Sequence, residues 1–223
     1  MKSRLARAAA VLMAAGGLAA VFSGCSAKKT EQEVIHLKMA VADADNSAQA
    51  EGAREIAREV EKATDGMIQI EVLAGGTLGG ERDTVELAML GGIDIVTCAN
   101  SVFTQWIPEM SILDQPYLFT NEAQAHGAVD GRGGDLIERE ALDKLNLHVI
   151  GYMESGFRNV FSKEPIQSIG DFHGVKIRTM QNPYHMAAFE SFGAIPTAMA
   201  ASEQFTALQQ GTIDACENAV SNC

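Results

Sequence analysis

Three short apolar segments separated by two amphipathic ones open the folded part of this chain, and that alternation admits few folds. Val34–Val41 reads as a strand with Ile35, Leu37 and Met39 on one face. Ser47 is placed to cap a helix running to about Asp65. In it Ala50, Ala53, Ile56, Ala57, Val60 and Ala63 recur at the helical period, with Glu, Arg and Lys on the other side. Gly66 supplies the stop. Met67–Leu73 alternates as a second strand, a glycine-rich turn leads into a helix from about Glu81 to Leu90, and Ile93–Cys98 is a third strand. A β-α-β-α-β order implies a largely parallel sheet covered by helices on both faces.

The second half resumes the pattern. Glu122–Val129 and Asp135–Leu145 are helix-compatible, and Leu147–Met153 and Phe157–Ser162 read as strands. A strand from Val175 to Arg178, a helix over Tyr184–Phe192, a short strand near Ile195–Ala198, a helix over Ser202–Gln210 and a strand over Ile213–Cys216 follow. The connection Trp106–Phe119 is apolar enough to be expected to cross the core, with Trp106 as a packing residue or, alternatively, part of a cleft wall. Two α/β lobes meeting near residues 153–157 are the simplest arrangement.

The N-terminus carries a separate message. Lys2, Arg4 and Arg7 precede the uncharged apolar run Ala8–Phe22, which fits a signal peptide and is too short for an ordinary membrane-spanning helix. Phe22-Ser23-Gly24-Cys25 looks like a bacterial lipobox, with Phe where Leu is usual. The expectation is a signal peptide over 1–24, a lipidated Cys25 with a polar tether over 25–33, and an extracytoplasmic, lipid-anchored location. A plain secretory signal with an incidental cysteine is the alternative. The whole chain carries a net charge of −12, and removing the three N-terminal cations leaves 14 basic against 29 acidic residues. Such a surface repels nucleic acid and offers no general attraction to an anion, so an acidic ligand needs local cations. Cys98, Cys216 and Cys223 form no C-x-x-C, and free thiols are favoured over a Cys216–Cys223 bridge.

Most catalytic constellations are missing. The turn Gly75-Gly76-Thr77-Leu78-Gly79-Gly80 has neither the Lys-Ser/Thr ending of a P-loop nor G-x-G-x-x-G spacing, so it reads as a tight turn. His36, His126, His148, His173 and His185 stand at no metal-ligand spacing, and G-x-S-x-G is absent. No cofactor, metal or catalytic residue is expected, and the chain is read as a non-enzyme. Arg178 ends the strand Gly174-Val175-Lys176-Ile177-Arg178, at the strand end where ligands of α/β sheets bind. A guanidinium grips a carboxylate through two parallel hydrogen bonds, roughly twice as strong as neutral ones. A surface arginine paired with one of the many acids is the competing reading.

Five stretches carry a resemblance: VEKATDGMIQIEV (60–72), TLGGERDTVELAMLGGIDI (77–95), LDQPYLF (113–119), ESGFRNVFSKEPIQSIGDFHGVKIRTMQNP (154–183) and FGAIPTAMAASEQFTALQQGTIDACEN (192–218). From residue 36 onward the sequence resembles the solute-binding subunit of tripartite ATP-independent periplasmic (TRAP) transporters, the DctP-like family. The resemblance implies a two-lobed periplasmic-binding-protein-like clamp, with lobe I over 34–155 and lobe II over 156–223. It also implies a small organic-acid ligand, such as a dicarboxylate, keto acid or sugar acid, and TRAP membrane subunits as partners. Arg178 is implied as the carboxylate anchor, with Arg158 assisting, Asn218 hydrogen-bonding the ligand, Asn100 contributing from lobe I, and Gln181 adding a polar contact.

Two departures accompany the resemblance. Ala201 stands where many members have a large aromatic, which implies a roomier pocket. The usual D-G-Q-E-N reads Asp214-Ala215-Cys216-Glu217-Asn218. Because family members continue well past Asn218, the expectation is a fragment with lobe II and the hinge incomplete. An extracytoplasmic sensor domain using the same clamp is the alternative function.

Overall fold

A computed structural model describes residues 33–220. The signal segment, Cys25 and most of the expected tether, together with Cys223, lie outside the described residues. From Val34 onward the chain forms a single compact unit containing two sheets.

The first sheet is built as the hydrophobic alternation dictates. β1 (Ile35–Val41), α1 (Ala48–Ala63), β2 (Ile68–Leu73), α2 (Glu81–Met89) and β3 (Ile95–Thr97) follow in order. β1 lies between β2 and β3 and pairs in parallel with both. Met39, Val41 and Ala74 bury against Ala50 and Ala53, the small face of α1, with Ile70, Val72 and Ile95 packed around them. Small residues on that face let the helix axis sit close to the sheet, while Glu51, Glu55 and Arg58 pair on the solvent side. Ser47 caps α1 by accepting the Ala50 N–H at 3.1 Å. Ser47→Ala is expected to cost about 1 kcal/mol in urea denaturation, the usual loss for an N-cap. A change under a few tenths would mean that water replaces the cap.

Between the two sheets in chain order come α3 (Asn100–Phe103), a 3₁₀ segment (Pro108–Asp114), α4 (Glu122–Val129) and α5 (Arg132–Leu145). Ile107 and Met110 bury against Ile137, Ala141 and Leu145 of α5, with Trp106 packed on that cluster. The expectation that the whole Trp106–Phe119 stretch crosses the core holds only for its first part, since Ile112, Tyr117 and Leu118 are exposed. Leu147–Met153 is not a strand. Leu147 and Val149 spend their alternation packing on the α5 cluster, and the Val149 N–H donates to the Glu138 carboxylate at 2.6 Å instead of to a ladder.

The second sheet comprises β4 (Arg158–Ser162), β5 (Lys176–Thr179), β6 (Ile195–Ala198) and β7 (Ala215–Ala219) in the order β4-β7-β5-β6. Helix α6 (Pro183–Ser191) links β5 to β6, and α7 (Ala201–Gln210) links β6 to β7. β5 is parallel to β6 and β7, whereas β4 runs antiparallel to β7. Ile177, Ala194 and Ala215 form its core with Phe172, Val175 and Phe189. Phe172, Phe189 and Phe192 close a ring triangle with centroids 5.7–5.9 Å apart. β7 begins two residues later than the sequence suggests, because Ile213 is buried ahead of the ladder and does not join it. Asn218 therefore sits within a strand. The boundary expected between residues 155 and 156 falls in the irregular stretch before β4.

Candidate functional site

Parallel strands deliver their last residues to one edge, and here both sheets do so. Asp43 follows β1 and Cys98 follows β3, while Arg178 lies near the end of β5, Met199 just past β6 and Asn218 near the end of β7. Because β4 is antiparallel, its first residue, Arg158, pairs in register with Ala219 and reaches the same edge. In-register residues share a face of a sheet, so Arg178 lies on the face of Cys216 and Asn218, and Arg158 on that of Glu217.

Arg178 is 3 % exposed. Its Nε and Nη2 both donate to the Met199 carbonyl, at 3.0 and 2.8 Å. One edge of the guanidinium is thereby fixed, and Nη1 makes no hydrogen bond among the described residues. Burial pulls its pKa below the ordinary arginine value, opposed by the nearby Glu217 carboxylate. Arg158 is tied more fully: Nε donates to the Glu217 carboxylate and Nη2 to the Glu217 carbonyl at 2.9 Å. Glu217, 3 % exposed, also accepts the Met180 N–H at 3.3 Å. Glu217 thus compensates both cations, through the hydrogen bond it accepts from Arg158 and through its charge on Arg178.

The other expected residues are placed as follows. Asn218 is buried and its Oδ1 accepts the Ala219 N–H at 2.9 Å. Asn100 opens α3 and donates to Asp114 at 2.9 Å. Gln181 sits half-buried in the turn after β5. Ala201, at the first position of α7, is exposed, and the neighbouring Ala200 comes close to the first sheet's glycine turn: a Cβ on Gly80 would meet Ala200 Cβ at 3.3 Å. That turn is a tight turn, with Gly75, Gly76 and Gly79 at positive φ.

Four residues singled out for no role by sequence reasoning organise this edge. Asn182 is 1 % exposed. Its Oδ1 caps α6 by accepting the Tyr184 and His185 N–H groups. Its Nδ2 donates to the Ser101 carbonyl at 2.9 Å, Thr104 Oγ1 at 3.2 Å and Asp114 at 2.8 Å. Asp114 in turn collects Asn100, Ser101 and Asn182. His185 lies between Asp114 and Glu217. Glu81 accepts the Ala99 N–H at 2.8 Å. An Asn before Pro at a helix start was a readable cap signal. The other contacts join residues 13 to 81 positions apart in sequence and leave no local trace.

Burial raises the Glu81 carboxyl above its ordinary range, helped by Asp43 and opposed by the Ala99 N–H, Arg178 and Arg158. Burial also raises Asp43, and it pushes the Cys98 thiol well up, so the thiol stays protonated. A carboxyl with a raised folded pKa holds its proton in the folded state to higher pH than in the unfolded chain. Its contribution is therefore present below the ordinary carboxylate pKa and is lost as pH rises through the raised value. Glu81→Gln is expected to flatten the fall in stability above about pH 4.5, and an unchanged slope in denaturant titrations would clear Glu81 of that role.

No group of three or more His, Cys, Asp or Glu side chains is arranged to hold a metal ion among the described residues. A half-paired, buried guanidinium at the strand ends is a fork for a planar anion.

Residues 39–223 match the model of the bacterial extracellular solute-binding proteins, family 7 (DctP). A solute-binding protein of Verminephrobacter eiseniae is 38 % identical over 187 residues, 83 % of this chain and 55 % of the relative. The 2,3-diketo-L-gulonate-binding periplasmic protein YiaO of Escherichia coli is 35 % identical over 162 residues, 72 % of this chain and 49 % of the relative. The crystal structure of a TRAP periplasmic solute-binding protein from Polaromonas, bound to D-erythronate, superposes with a TM-score of 0.78 at 36 % identity, covering 82 % of this chain and 61 % of that one. The chain spans about half the length of the curated relatives it matches. The lipid-anchored location expected from Cys25 is corrected to the coarser extracytoplasmic one: the relatives are named as periplasmic proteins, and nothing in them shows a lipid anchor. They are also named as solute-binding proteins, not enzymes.

Proposed function

This chain belongs to the bacterial extracellular solute-binding proteins of family 7 (DctP), and from that premise we propose that it captures an organic acid by its carboxylate for TRAP membrane subunits. The open edge of the buried Arg178 guanidinium carries the reading. A carboxylate docking there gains a charge-assisted, bidentate contact in a place where few waters compete. Arg158 adds positive potential while its own hydrogen bonds keep Glu217 occupied. Asn218 supports the ligand from the Arg178 face, with Asn100 and Gln181 lining the approach. The segment over residues 1–24 acts as the export signal.

The ligands named for two of the relatives described above, 2,3-diketo-L-gulonate and D-erythronate, are hydroxylated carboxylates, whereas less similar relatives are named for succinate and C4-dicarboxylate. Sugar acids are therefore the class we assign to this site. The chain binds and releases its ligand without turning it over. The relatives are named for solute binding and TRAP transport, so the sensor alternative has no observation in its favour.

Thermal unfolding tests the reading. D-Erythronate at about one hundred times its dissociation constant should stabilise the protein by about 2.7 kcal/mol, and the uncharged erythritol should not. Equal shifts with both compounds, or none with any sugar acid, would contradict carboxylate capture.

A further inference from the structure

His185 occupies the first turn of α6 with its side chain 11 % exposed. Nε2 faces Asp114 from the 3₁₀ segment at 3.6 Å, and Nδ1 faces Glu217 from β7 at 3.9 Å. Nδ1 is buried and has no hydrogen-bond partner among the described residues. Behind the two carboxylates stand Asn182, which donates to Asp114, and Arg158, which donates to Glu217. Arg178 acts on Glu217 through its charge.

A neutral imidazole has one N–H and one lone pair. Between two ionised carboxylates it satisfies one and turns its lone pair toward the other. Only the imidazolium offers a donor to each side. Both distances sit just outside hydrogen-bonding range, so a small approach of α6 to the 100–114 segment would complete two charge-assisted bonds at once.

We propose that His185 is a positioning residue that takes up a proton from solvent when the acid is captured, bridging Asp114 to Glu217 and fixing α6 against the first sheet's side of the site. This rests on the acid-capture reading above. The ligand carboxylate competes with Glu217 for the charge of Arg178. A positive charge on His185 compensates Glu217 while the Arg178 charge is taken up by the ligand. The ring touches no ligand atom, and it acts through Glu217 and Asp114.

Calorimetric titration of the full chain with D-erythronate, in buffers of differing ionisation enthalpy, tests this. Fractional proton uptake is expected near neutral pH, with the dissociation constant rising about threefold to tenfold between about pH 6 and pH 8, where an imidazole changes charge. His185→Gln should still bind but lose both the uptake and the pH dependence. The His185 ring resonances of the unsubstituted protein should move toward imidazolium on ligand addition, a readout that needs no variant. Binding without proton uptake, or uptake unchanged in His185→Gln, overturns the proposal while leaving acid capture intact. Absence of acid binding at every pH overturns both.

Discussion

Arg178→Met is expected to weaken sugar-acid binding by about 30-fold to several thousand-fold, the loss that follows removal of one member of a buried charge pair. Methionine suits the test because it fills the apolar part of a position that is 3 % exposed without supplying a donor. The Met199 carbonyl loses two donors, but Arg158 still compensates Glu217, so the fold should survive. Arg178→Lys separates charge from geometry: a point charge replaces a planar fork, and recovery should be partial. Affinity within a factor of three of the parent for Arg178→Met, with unfolding unchanged, would show that the carboxylate docks elsewhere.

Asn182→Ala should be the most destabilising single change at this edge, costing about 3–4 kcal/mol in urea unfolding. Two effects add. The loss of the α6 cap accounts for about 1 kcal/mol. The rest comes from losing the amide's hydrogen bonds to the Ser101 carbonyl, Thr104 and Asp114, at about 1 kcal/mol each, although Thr104 still donates to the Ser101 carbonyl and Asn100 and Ser101 still donate to Asp114. Asn182→Asp keeps the cap acceptor but sets a second carboxylate against Asp114, so it should recover little. A cost below 1 kcal/mol for Asn182→Ala would mean that water takes over the network.

The fold was legible where periodicity and packing agree. α1 declared itself through Ser47, its alanine face and Gly66, and the parallel first sheet followed from strand–helix alternation alone. Leu147–Met153 misled because alternation shows only that one face is buried, and α5 covers that face as well as a neighbouring strand would. The antiparallel β4 could not be foreseen, because local sequence does not encode strand direction. Yet that direction brings Arg158 to the Arg178 edge. At the candidate site, Arg178 drew attention by its place at a strand end, and the resemblance supplied the anchor role proposed for it. Glu217 stood in a quoted motif with no role assigned, and Asp114, Asn182 and His185 act only through contacts made when distant segments meet. The anchored location drawn from Phe22–Cys25 rested on a short pattern, and the periplasmic relatives outweigh it.

Carboxylate capture by the open edge of Arg178 is the central claim, and a crystal structure of the chain with D-erythronate tests it most directly. The account predicts the ligand carboxylate on Nη1 and Nη2 of Arg178, the Met199 carbonyl still held by Nε, and Glu217 still on Arg158. A ligand bound through its hydroxyls with its carboxylate in solvent, or an Arg178 turned onto Glu217 and away from the ligand, would contradict it.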